Sequence, residues 1–282
     1  MTHTAEHEGT PIKRILVGLD ASTHSLAALQ AAAALASDLQ AELHGLFVED
    51  VNLLRAAALP MSRELQLPFG RPAKMNPAAM RRQLQAQAQR ARQALSATCR
   101  RYRIEWTFQV LEGVVPSTVL REAAQADLLC LGTASRPVMQ RPKIGSTAQA
   151  AATRANRSVL LISQGAKIEP PVVIAHDGSP AADRALPLAC QLGRMAGGLL
   201  TVLVRPAPSR SSDRVQQVLA QRLEGENLAV RYRELAGEEV TSLIEDIRTE
   251  RAGIVVVSRA LLDPDEIHRL LDTIDCPALL VH

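Results

Sequence analysis

The stretch Ile12 to Ser22, IKRILVGLDAS, is an apolar run that ends in Asp, a small residue and Ser, and it returns as PVVIAHDGS at Pro171 to Ser179. Short apolar runs bounded by turn residues read as strands buried on both faces. After each copy comes an Ala- and Leu-rich stretch with apolar residues at helical spacing, Leu26 to Gln40 and Ala181 to Met195. A second strand follows in each half, LHGLFVED at Leu43 to Asp50 and LLTVLVRP at Leu199 to Pro206. The third pair is IEWTFQVLEG at Ile104 to Gly113 and LAVRYRELAG at Leu228 to Gly237, both ending on Gly. DLLCLG at Asp127 to Gly132 matches GIVVVS at Gly253 to Ser258, and SVLLIS at Ser158 to Ser163 matches PALLVH at Pro277 to His282. Five matched strands in one order make the chain a tandem repeat.

The stretches between strands are long enough to be helical crossovers, so each half reads as β-α-β-α-β-α-β-α-β. Right-handed crossovers then give a parallel sheet covered on both faces. The expected domains are 11–165 and 170–282, divided at QGAKIEP, Gln164 to Pro170, which carries the Gly and Pro of a linker. The first half is longer because residues 51–76 stand between its second strand and a long helix. With Pro60, Pro68, Pro72 and Pro77 in or beside it, this insertion reads as a short helix followed by irregular chain. Beyond it, Met80, Leu84, Ala88, Ala91, Leu95 and Tyr102 share one helical stripe, while Arg81, Arg82, Arg90, Arg92 and Arg100 lie mostly elsewhere and read as a solvated face.

Composition narrows the functions. A chain of 282 residues that is 47% hydrophobic and 22% charged is not disordered. One Trp, two Tyr and three Phe cannot build stacking platforms for unpaired bases, so no nucleic acid is expected, and they offer little to a flavin ring. A net charge of +3 names no partner. Cys99, Cys130, Cys190 and Cys276 form no CxxC pair and no zinc spacing, which suits buried thiols in a reducing compartment. Residues 1–10 are polar and lack a signal-peptide core, and no run of about eighteen apolar residues occurs. A cytoplasmic protein without a membrane span is the expectation.

In a doubly wound sheet, ligands bind beyond the carboxyl ends of the strands where strand order reverses. Here that lies between strands one and four, so Asp20 and the loop after Gly132 face one crevice. The loop runs from Gly132 to Thr147, GTASRPVMQRPKIGST, into the helix AQAAATRAN. Gly145 permits close backbone approach. Ser146 and Thr147 open a helix, where free amides, hydroxyls and the positive dipole end suit phosphate oxygens. Arg136, Arg141 and Lys143 stand ready to offset a ligand's charge. Taken alone, the same Gly-Ser would equally be a turn and a helix cap.

Strand one ending in Asp20, strand two ending in Phe47-Val48, and Gly132-x2-Ser135-x9-Gly145-Ser146 together resemble the universal stress protein family in its tandem two-domain form, over nearly the whole chain. The resemblance implies an α/β fold of two doubly wound five-stranded parallel-sheet domains, adenine nucleotide alpha hydrolase-like and Rossmann-like. It implies ATP or AMP, with Mg²⁺ as companion, the adenine lying near Asp20 and the backbone of Val48. The phosphates would lie on Gly132, Gly145, Ser146 and Thr147. The nucleotide-binding members carry Gly where this sequence has Ser135, so a Cβ stands where close approach is needed.

In the second half Asp177 and Val204 are read as repeating Asp20 and Val48, but the phosphate loop is gone. SRALLDPDEIHRLLDTIDCPALLVH has no glycine, and Asp263, Asp265 and Glu266 would repel phosphates. Pro264 followed by Asp-Glu reads as a helix start rather than a metal site. The second domain is therefore expected to be a degenerate scaffold, and the resemblance implies that the fifth strands of the two domains meet along an edge. His176 next to Asp177 is no acid-base dyad, since adjacent strand residues point to opposite faces. Neither G-x-S-x-G nor G-x4-G-K-[ST] occurs. The expectation is a stress-response or signalling protein, not an enzyme beyond weak ATP hydrolysis at most, acting through conformation, a homodimer or an unidentified protein partner. The alternative is an interaction scaffold of the same fold that binds no nucleotide.

Overall fold

The structure is a computed structural model that describes residues 12–59, 63–64, 73–74, 76–133, 144–163, 165–205, 212–237 and 239–282. In chain order the first half contains β1 (Arg14–Gly18), α1 (Thr23–Leu39), β2 (Glu42–Asp50), α2 (Val51–Ala58), β3 (Arg63–Glu64), β4 (Ala73–Lys74) and α3 (Pro77–Tyr102). It continues with β5 (Trp106–Gly113), α4 (Val115–Ala123), β6 (Leu128–Thr133), α5 (Ser146–Arg154) and β7 (Ser158–Ser163). The second half contains β8 (Val172–His176), α6 (Pro180–Met195), β9 (Leu199–Val204), α7 (Ser212–Leu223), β10 (Ala229–Glu234), α8 (Val240–Thr249) and β11 (Ile254–Ser258). A 3-10 turn at Arg259–Leu261 leads into α9 (Pro264–Thr273) and β12 (Ala278–Val281).

Ten of these strands form one sheet in the order β10-β9-β8-β11-β12-β7-β6-β1-β2-β5. Each half contributes five parallel strands in the same internal order, and the halves join where β7 runs antiparallel to β12, with Leu160 opposite Leu279. The edge that the fifth strands present is thus satisfied within the chain. The insertion carries α2 as expected, followed by the short antiparallel pair β3 and β4.

The central strands read as continuous apolar runs because both their faces are covered. Alternate residues feed two cores. Ile15, Val17, Val172 and Ile174 pack toward α1, α3, α6 and α7. Leu16, Val173, Val255 and Val257 pack toward α4, α5, α8 and α9. Nearly all these side chains are aliphatic, and each fully buried Leu, Val or Ile contributes about 1.5–3 kcal/mol against leaving it exposed. On α3 the buried positions include Leu84, Ala88, Ala91 and Leu95, while Arg81, Arg82, Arg90, Arg92 and Arg100 are exposed. Cys99, Cys130 and Cys190 are buried and Cys276 is half-buried, all as free thiols; burial pushes Cys99 and Cys276 up to about 11. No described helix is long and apolar enough to cross a membrane.

Candidate functional site

Strand order reverses between β1 and β6, and there the first half opens a cleft of 270 Å³. Its polar end is formed by the turn after β1. Asp20 Oδ1 accepts from the Ser22 amide at 2.9 Å, and Ser22 Oγ caps α1 by accepting from the Ser25 amide at 3.2 Å. Ser25 Oγ donates to the Ser22 carbonyl and accepts from the Asp20 amide. Burial alone would raise the Asp20 carboxyl, but the hydrogen bonds from Ser22 and Ser25 outweigh it, and its pKa is lowered. Asp20 is therefore a carboxylate at neutral pH. The turn needs a left-handed residue, which Ala21 supplies at φ 61°.

The second half repeats the two bonds that Asp20 and Ser22 accept, while Ala182 stands where the first half has Ser25 and its hydroxyl bonds. Ser179 donates its amide to Asp177 Oδ1 at 2.9 Å and caps α6 through Ala182, and Gly178 takes the left-handed position at φ 76°. The Asp-x-Ser shared by both halves is thus an Asx turn that starts a helix, a role that accounts for it without any ligand.

Of the sequence-expected residues, Asp20, Val48, Gly132 and Thr147 line the one cleft. Gly145 and Ser146 begin α5 beside Thr147. Ser135 lies outside the described residues, as do Arg136, Arg141 and Lys143. Gly145 is the N-cap of α5 at φ −63°, ψ 151°, an extended conformation open to any residue, and it gives that helix no side-chain cap. The glycine therefore leaves the first amides of α5 without a competing side chain. Gly132 has a different reason to be glycine: an added Cβ would stand 2.4 Å from the His24 carbonyl carbon and 2.8 Å from the Ser25 amide. It lets the first turn of α1 lie directly against β6, whatever else it touches.

The structure adds cleft residues that the sequence reading left aside. Ser22, His24, Ser25, Asp50 and Leu84 also line it. The Ser22-x-x-Ser25 spacing after Asp20 signals the cap, and Asp50 caps α2 by accepting from the Asn52 amide. His24 Nδ1 is buried without a hydrogen-bond partner.

In the second half the matching positions carry different residues. Ladder register aligns Ile15 with Leu43 and Leu128, and Val172 with Leu200 and Ile254. Since Asp20 and Asp177 each lie five residues beyond these anchors, Gly132 corresponds to Ser258 and Leu19 to His176. Val48 corresponds to Arg205, not to Val204, which matches Phe47; the sequence reading was one residue short. Arg205 donates to the Leu261 carbonyl at 2.8 Å. The start of α9 is plugged by Asp263, whose Oδ1 accepts from the Asp265 amide at 2.9 Å and the Glu266 amide at 2.8 Å, while Glu266 accepts from the Asp263 amide. This capping box occupies the amides that α5 leaves open. His176 is fully buried, with Nε2 3.2 Å from Asp183 Oδ1, itself an acceptor from Arg222, and with Nδ1 accepting from the Gly178 amide at 3.0 Å. Burial lowers the His176 pKa more than Asp183 and Asp177 raise it. Its partner is Asp183 on α6, not the adjacent Asp177.

Strand order, parallel pairing within each half and a crevice at the switch point define a doubly wound, Rossmann-like α/β protein of the adenine nucleotide alpha hydrolase type. Within that class the family model for the universal stress protein family matches residues 11–163, more than half of the chain, and the chain belongs to that family. A universal stress protein from Archaeoglobus fulgidus shares the fold at 13% identity and a TM-score of 0.70, covering 95% of this chain and 97% of that one. A putative universal stress protein from Pseudomonas aeruginosa does so at 14% identity and a TM-score of 0.62, covering 97% and 94%. No curated protein matches the sequence.

Proposed function

We propose that the chain is a stress-response or signalling protein that binds ATP or AMP in its first-half cleft and acts through conformation or assembly. The adenine lies near Asp20 and the Val48 backbone, and the phosphates on Gly132, Gly145, Ser146 and Thr147. The observation that carries this reading is the start of α5: it stands at the rim of a cleft with no side-chain cap, and its dipole favours an anion. Among the described residues no group of three His, Cys, Asp or Glu side chains could hold a metal, so Mg²⁺ would arrive on the phosphates. The residues 170–282 form a domain that supports the first without a nucleotide of its own. No described side chains supply an activated nucleophile, and hydrolysis is at most weak.

One observation favours the scaffold reading. Among the described lining residues the charged groups are Asp20 and Asp50, with no Lys or Arg to meet a triphosphate. Heat release of small molecules from the purified protein, followed by chromatography, separates the two. Recovery of adenine nucleotide, or a rise in melting temperature with Mg·ATP, supports binding, and Gly145→Val should remove either signal. Absence of both signals would leave the scaffold.

A further inference from the structure

The two helix-starting turns share Asp and Ser but differ in the residue before the Asp, Leu19 in the first half and His176 in the second. His176 is fully buried, and its Nδ1 accepts from the Gly178 amide at 3.0 Å. An amide N–H only donates, so Nδ1 carries no proton. The imidazole is therefore the neutral tautomer with its proton on Nε2, which lies 3.2 Å from Asp183 Oδ1. A second proton has one place to go, Nδ1, and there it would point at another donor. The ring is tied into the start of α6 by a bond that only its neutral form can make.

The Gly178 end of that bond is able to reverse. Turning over the peptide unit between Asp177 and Gly178 exchanges its N–H for the Asp177 carbonyl, so the position facing Nδ1 holds a donor in one state and an acceptor in the other. The turnover carries φ of Gly178 from 76° to the negative side, and glycine occupies either sign at little cost. The charged groups facing the ring are Asp183 from α6, Asp177 at the end of its own strand and Arg222 from α7, which also donates to Asp183. β9 brings Val204 opposite His176, and Arg205 beyond it is turned to the Leu261 carbonyl. β11, aligned with β8 through Val257 and Ala175, ends on the uncharged Ser258. Burial opposes the imidazolium more than the two carboxylates favour it, so the ring is neutral at neutral pH and takes its proton in acid.

We propose that His176 and Gly178 form a proton-operated switch at the start of α6: the neutral ring holds the Gly178 amide, and the imidazolium, bonded between Asp183 and the Asp177 carbonyl, turns the peptide over. The proton comes from solvent as the pH falls. The first half has no counterpart, because Leu19 offers no acceptor and Ala21 at its left-handed position lacks the freedom of glycine. The switch does not depend on nucleotide binding in the first-half cleft.

Nitrogen–proton correlation spectra of the isotope-labelled full chain, taken from pH 8 to 5, follow the His176 ring nitrogens and the Gly178 amide together. The Gly178 amide should move with the same midpoint as the ring, below the ordinary histidine value, and past that midpoint should exchange with solvent at least tenfold faster relative to its intrinsic rate. His176→Asn keeps a side-chain acceptor at every pH and should make the Gly178 amide independent of pH. Gly178→Ala disfavours the left-handed state that the neutral ring requires, and should raise the ring's midpoint by roughly one pH unit. A Gly178 amide that stays fixed while His176 titrates, a Gly178 response that persists in His176→Asn, or a ring that stays neutral until the whole chain unfolds would overturn the proposal.

Discussion

The two halves share a strand order and a helix-starting turn, and differ at four matched positions around the crevice. Gly132 corresponds to Ser258, Leu19 to His176, Val48 to Arg205, and the uncapped start of α5 to the capping box of α9. Each second-half residue adds polar atoms where the first half has none, and Arg205 and Asp263 satisfy theirs within the fold. If the first half holds a nucleotide as proposed, the lesson is that a repeated fold loses a ligand site by filling it. The sheet, whose stability comes from aliphatic burial on both faces, is untouched by the exchange.

Exchanging residues between the halves tests how far that comparison holds. The largest effect is expected from Gly132→Ser, which installs the second-half residue against the α1 backbone. A Cβ at 2.4 Å from His24 must push helix or strand apart, costing about 3 kcal/mol, read as a lower urea midpoint. A change under about 0.5 kcal/mol would show that α1 moves freely. Next comes His176→Leu, which installs the first-half residue. Because the folded pKa of His176 is lowered, the unfolded chain binds its proton first, so stability should fall as pH drops below about 6.5, with a slope of up to 1.4 kcal/mol per pH unit until the folded form is protonated too. Melting curves from pH 7.5 to 5 should lose that slope in the variant; an unchanged slope would assign the acid sensitivity elsewhere. Ala21→Gly gives the first turn the residue its counterpart already has. It should relieve about 1 kcal/mol of left-handed strain, measured by denaturation, whereas Gly178→Ala should cost a similar amount. The smallest stability effect belongs to Gly145→Asp, a few tenths of a kcal/mol in favour of the fold because Asp is the better N-cap. That change should nevertheless abolish nucleotide binding, and a calorimetric titration that finds affinity retained would separate the α5 start from the phosphates.

Much of this fold is legible in the sequence because strands buried on both faces leave unmistakable apolar runs, as in IKRILVGLDAS and PVVIAHDGS. The same property hides register. LLTVLV carries no polar residue that marks its phase beyond Thr201, so Val204 and Arg205 could not be assigned to Phe47 and Val48 until the ladders aligned them. Asp20, Gly145, Ser146 and Thr147 are legible through the switch-point position and the resemblance together. The reason for Gly132 is not, since it rests on a helix more than a hundred residues away in sequence. His176 was matched against its neighbour in sequence, while its partner Asp183 sits one turn into the next helix, on the face toward which the strand side chain points.

The central claim is that one half holds a nucleotide and the other has filled its site. Isothermal titration of the full chain with Mg·ATP, after removal of any bound nucleotide, tests it directly through the stoichiometry. One site per chain, lost in Gly145→Val and kept in Asp177→Ala, is the predicted result. Two sites per chain, or binding that disappears with Asp177→Ala and survives Gly145→Val, would contradict it.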